Sequence, residues 1–104
     1  MSYKKMDKKL KGPWIKALLS GEYRQGRGSL LKQGAYCCLG VLAKVQGCSS
    51  DDLDWLDLKP STMQKYMAGL NKRSMMQLVT LNDGGEGRLG LSFKQIAAWI
   101  RKNL

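Results

Sequence analysis

Ser92-Phe93-Lys94-Gln95-Ile96-Ala97-Ala98-Trp99-Ile100 decides how the fold is read. Ser92 with Gln95 is the Ser-x-x-Gln pattern of a capping box, in which each residue satisfies a free backbone N–H of the other at a helix start. Phe93, Ile96, Ala97 and Ile100 then recur at i, i+3, i+4 and i+7, one face of a helix. Lys94, Arg101 and Lys102 fall mainly elsewhere, and cations in a last turn suit the helix dipole. The chain is helical where its pattern is clearest.

Working back, Ser74 to Leu81 gives another helix through Met75, Leu78 and Val79, ending at Asn82, before a loose loop from Gly84 to Gly90. Pro60 interrupts the chain, and Ser61 can cap a helix with Met63, Tyr66, Met67 and Leu70 on one side. Ser49-Ser50-Asp51-Asp52 resembles a helix start leading into Leu53, Trp55 and Leu56. Cys38 to Val45 reads as a short buried helix, with Leu39, Leu42 and Ala43 at helical spacing and Gly47 as its stop. Ser29–Lys32 and Ala35–Cys37 are short enough to be two strands around a Gln33-Gly34 turn. Pro13 opens a helix over residues 13–20, carrying Trp14, Ile15, Leu18 and Leu19, with Gly21 as its stop.

Residues 1–12 are Lys-rich, show little apolar periodicity, and are expected to form a basic, mobile arm. Residues 13–104 are expected to form one compact domain. The fold class is mainly α (α+β): a small single-domain helical fold with one short β-hairpin.

The 104 residues are 43% apolar and 25% charged, ordinary globular usage that argues against disorder. There is no histidine, which removes Ser-His and Cys-His catalytic pairs, His-ligated zinc and His-based pH switches. Apolar runs fall far short of the roughly 20 residues needed to span a bilayer. The odd count of three cysteines, without a repeating framework, fits a reducing compartment.

The charge is uneven. Residues 1–34 hold nine basic and two acidic residues, a net of +7. Residues 35–70 net −1, and residues 71–104 net +4. Such a field attracts nucleic acid, anionic nucleotides or an acidic protein surface, although cations also serve simply as a solvated face.

Four stretches together have a recognisable character. Gly21-Glu22-Tyr23-Arg24-Gln25-Gly26-Arg27-Gly28-Ser29-Leu30 is followed by Tyr36-Cys37-Cys38-Leu39-Gly40-Val41-Leu42. Leu81-Asn82-Asp83 and the Ser92–Ile100 helix come later. The pattern resembles a group of small, functionally unassigned proteins encoded by tailed bacteriophages and prophages, over roughly residues 14–47 and 78–104. This chain differs in carrying Ala43-Lys44 where a cysteine-aspartate pair often follows, and in a longer glycine loop before Ser92. The resemblance implies phage origin and work inside a bacterial cytoplasm, and brings no catalytic residues.

Other motifs weigh less. Gly85 to Gly90 matches G-x-G-x-x-G but lacks the strand–helix–strand context of a dinucleotide site, and reads as a loop. Cys37, Cys38 and Cys48 cannot complete a four-ligand zinc site, and are expected as small core residues. Asp51, Asp52, Asp54 and Asp57 are the one acidic cluster, able to hold Mg²⁺ for a nuclease or simply to solvate a helix start.

The site residues expected to bind nucleic acid or phosphate are Lys4, Lys5, Lys8, Lys9, Lys11, Tyr23, Arg24 and Arg27. Arginine grips phosphate through two parallel hydrogen bonds, glycine lets backbone approach, and Tyr23 can stack on a base or pack beneath its loop. The expected function is a non-enzymatic binding protein, without cofactors, engaging nucleic acid or nucleoprotein in the host bacterial cytoplasm for host takeover or counter-defence. Alternatives are an inhibitor of a host protein using Trp55, Met63, Tyr66 and Met67, a sponge for an anionic nucleotide, and a Mg²⁺-dependent nuclease.

Overall fold

The computed structural model describes residues 5–28, 30–49, 66, 69–84 and 90–104. The elements run α1 (Lys8–Leu19), β1 (Arg24–Gln25), β2 (Leu31–Lys32), β3 (Ala35–Tyr36), α2 (Cys38–Val45), α3 (Lys72–Asp83) and α4 (Phe93–Asn103). The fold is mainly helical with a small sheet, as the patterning predicts. The helices expected around residues 49–56 and 61–70 lie outside the described residues, apart from Ser49, Tyr66, Gly69 and Leu70.

Helix α1 begins five residues before the expected start at Pro13. Asp7 is its N-cap, with a carboxylate oxygen accepting from the Lys9 N–H at 2.9 Å. Lys8, Lys9 and Lys11 are therefore helical, and Met6 just upstream is 3% exposed. Pro13 sits inside the helix, where it withholds one N–H from the ladder. Proline normally disfavours helical backbone in the preceding residue by clashing with its Cβ. That residue is Gly12, which has no Cβ, so the helix runs through.

The hairpin forms as expected. β2 and β3 pair antiparallel, Leu31 with Tyr36 and Lys32 with Ala35. Gln33 and Gly34 both have positive φ, 52° and 77°, the requirement of a two-residue type I′ turn. The third strand was not evident from sequence. β1 joins the other side of β3 in parallel, giving the order β1-β3-β2.

Helix α2 occupies the expected residues and is buried along Cys38–Ala43. The N–H groups of Gly47 and Cys48 return to the carbonyls of Lys44 and Ala43, the paired bonds of a Schellman stop. Gly40 lets the hairpin lie directly on this helix: a Cβ there would fall 2.0 Å from the Leu30 carbonyl oxygen. Trp14 of α1 is fully buried, and its Nε1–H donates to the Cys38 carbonyl at 2.9 Å. α1 also packs on α4, whose capping box forms between Ser92 and Gln95 and whose Phe93, Ile96, Ala97 and Ile100 are buried. Cys37, Cys38 and Cys48 are buried in this core.

Candidate nucleic-acid interface

Two packed helices carry half of the basic residues among the described ones. α1 contributes Lys8, Lys9, Lys11 and Lys16, and α4 contributes Lys94, Arg101 and Lys102. Neither helix contains a carboxylate. On α1 the exposed positions are Lys8, Lys9, Gly12, Pro13, Lys16, Leu19 and Ser20, a stripe with four-residue repeats opposite Trp14 and Leu18. On α4 they are Lys94, Gln95, Ala98, Arg101 and Lys102, opposite Phe93, Ile96 and Ile100. The small residues Gly12 and Ala98 leave both stripes low between their cations.

The stripes meet near the end of α4. Lys11 donates from Nζ to the Arg101 carbonyl at 3.4 Å, placing a cation at that helix's negative end. Arg101 and Lys16 line one cleft with Gly12, Ile15, Leu19 and Ser20.

Arg24 and Arg27 stand elsewhere. Gln25 turns inward from β1, so Arg24, its strand neighbour, is exposed. Arg27 is exposed and passes over Gly90, where a Cβ would come within 2.9 Å of its Nε and 2.1 Å of the Asn82 carbonyl oxygen. This places Arg27 just before the start of α4, while Lys11 touches its last turn. The two groups are separated by roughly 12 Å of helix. Lys94 and Arg101, near opposite ends of one α4 stripe, span the interval.

A buried amide network fixes the arginine loop. Gln25 Nε2 donates to Asn82 Oδ1 at 3.0 Å and to the Leu91 carbonyl at 2.7 Å, while its Oε1 accepts from Phe93 N–H. Asn82 is fully buried, and its Oδ1 also accepts from the Cys38 N–H. Its Nδ2 donates to the Gly26 carbonyl and to Asp83 Oδ1, which in turn accepts from Gly28 N–H. The four stretches singled out in the sequence converge on these bonds.

Of the residues expected at the interface, Lys5, Lys8 and Lys9 are exposed and Lys11 is half-buried. Tyr23 is half-buried and packs edge-to-face on Tyr36, with ring centroids 5.3 Å apart. Tyr66, from the expected protein-binding set, is half-buried against the core, and its carbonyl accepts from the Gln46 side chain. Lys4, Trp55, Met63 and Met67 lie outside the described residues, as do Asp51, Asp52, Asp54, Asp57 and most of the Gly85–Gly90 loop. Lys16 and Arg101 were not anticipated as partners. Their convergence depends on how α1 packs on α4, which no local sequence pattern announces.

Among the described residues no group of three His, Cys, Asp or Glu side chains could hold a metal ion, and no helix is long and apolar enough to cross a membrane. Burial foremost, and Cys37 beside it, push the Cys38 thiol well above its ordinary pKa. Cys37 serves as the N-cap of α2, its sulfur accepting from Gly40 N–H at 3.4 Å.

The sequence model of one family, described as a domain of unknown function (DUF8296), matches residues 6–73. The chain belongs to DUF8296. No curated protein and no solved structure matches it. The DUF8296 match covers α1, the sheet and α2, including Gln25, Gly26 and Cys38, and stops early in α3. Asn82 and α4 complete the arginine loop and basic face from beyond that boundary.

Proposed function

We propose that this DUF8296 protein is a small, phage-encoded, non-enzymatic protein that binds nucleic acid or nucleoprotein in the host bacterial cytoplasm. The observation that supports it is the pair of packed helices with seven cations and no carboxylate. Lys8 and Lys9 in α1 and Lys94 in α4 occupy first turns, where the helix dipole opposes positive charge. Helix stability does not account for cations at those positions. An anionic polymer running along both stripes does, by releasing its condensed counterions.

Phage origin rests on the Gly21–Leu30, Tyr36–Leu42, Leu81–Asp83 and Ser92–Ile100 stretches, and work in host takeover or counter-defence follows by analogy with small accessory phage proteins. The test is recovery of the tagged protein from bacteria, with and without nuclease treatment. Nucleic acid that co-purifies at low salt and elutes as salt rises supports the reading. Protein that emerges free of nucleic acid under both treatments contradicts it.

A further inference from the structure

We propose that Lys16 and Arg101 jointly seat one backbone phosphate of a nucleic-acid duplex in the cleft between α1 and the last turns of α4. This deepens the reading above and rests on it.

The two cations come from different helices, 85 positions apart, yet line one cleft. Both are exposed, so each keeps its charge in reach of a ligand. Because both side chains line the same cleft, their positive fields add there and favour an anion. The side-chain carboxylate nearest to Lys16 along the chain, that of Glu22, is not part of the lining; the Glu22 N–H donates to Ser20 Oγ, whose hydroxyl donates to the Ala17 carbonyl. Arg101 can offer two parallel N–H groups to a phosphate, and Lys16 a point charge from the other side.

The rest of the cleft is uncharged. Ile15 lines it, Leu19 is 49% exposed, and space is open where a Gly12 side chain would be. A sugar ring flanking the phosphate can cover that apolar surface. The large apolar residues exposed among the described residues are Leu19, Met76 and Val79, none of them aromatic. Tyr23 and Tyr36 pack on each other, Tyr66 and Trp99 are partly buried against the core, and Trp14 and Phe93 are buried. Single-strand binding draws on exposed rings for base stacking. This face offers charge along rigid helices instead, which suits a duplex backbone.

The experiment is a salt titration of duplex DNA binding by wild type, Lys16→Ala/Arg101→Ala and Arg101→Lys, with single-stranded DNA in parallel. If the pair seats one phosphate, the double variant lowers the slope of log K against log salt by about 0.9. Arg101→Lys keeps the slope but loses affinity, because the planar fork is gone. A drop of about 1.8 in the double variant means two separate phosphates and overturns the shared seat. A double variant that matches wild type overturns the cleft as a contact while leaving nucleic-acid binding intact. Tighter binding of the single strand overturns the duplex assignment. Wild type that binds neither polymer at low salt overturns the underlying reading itself.

Discussion

Gln25 and Asn82, 57 residues apart, are joined by a 3.0 Å hydrogen bond from Gln25 Nε2 to Asn82 Oδ1. Through it β1 is tied to the end of α3, and Gln25's other bonds reach Leu91 and Phe93 at the start of α4. Asn82→Ala leaves Cys38 N–H, the Gly26 carbonyl and one Gln25 N–H short of a partner. The expected loss is about 3 kcal/mol or more, since unpaired buried groups cost about 1–3 kcal/mol each. Urea unfolding measures it; a loss within 0.5 kcal/mol or so would mean the network is not cooperative.

Ser74 tests the same principle with the opposite sign. Its hydroxyl is buried without a hydrogen-bond partner, although its N–H is capped by Asn71. Ser74→Ala removes the stranded group and improves helix propensity. We expect a gain of about 1 kcal/mol in thermal or urea unfolding. A comparable loss would show that the hydroxyl has a partner in solution.

What the sequence disclosed follows the range of the interaction involved. The Gln33-Gly34 turn, helix α2 and the Ser92–Gln95 box depend on neighbours within a few positions, and each was legible. The α1 start was obscured because Pro13 after Gly12 reads as the first residue of a helix, whereas the missing Cβ of Gly12 lets the helix run through from Lys8. β1 depends on parallel pairing with β3, in a register eleven positions along the chain, which no local pattern announces. The cysteines were expected in the core on composition, but Cys37 as a helix cap was not. Among the binding candidates, Arg24 and Arg27 are exposed as their loop chemistry suggests. The convergence of Lys16 with Arg101 needed the helix packing, and the buried Gln25–Asn82 pair needed the whole fold.

Lys8 and Lys9 set binding against stability. Both face the positive end of the α1 dipole, with Asp7 as the N-cap. Lys8→Gln/Lys9→Gln is expected to stabilise the protein by about 0.5 kcal/mol. The same change is expected to weaken DNA binding and flatten its salt dependence. Parallel unfolding and binding curves separate the effects, and unchanged binding would remove these lysines from the interface.

Cys38 predicts an alkaline limit. Its thiol pKa is raised in the folded protein, chiefly by burial, so the folded state holds its proton at a pH where the unfolded chain releases it. Stability contributed by this group is full below the unfolded thiol pKa of about 8.5 and falls as pH rises above it, by up to about 1.4 kcal/mol per unit. Urea midpoints at several alkaline pH values should fall more steeply for wild type than for Cys38→Ala. Parallel curves would mean that Cys38 ionises freely in the native protein, and rapid native labelling by a thiol reagent would agree.

The most direct measurement of the central claim is wild-type affinity for duplex DNA as salt rises from about 50 to 200 mM. With phosphates contacted along both α1 and α4, log K is expected to fall linearly against log salt, with a slope steeper than about −3, at roughly −0.9 per phosphate. Failure to bind duplex at low salt, or affinity that does not change with salt, would contradict the α1–α4 surface as a nucleic-acid interface.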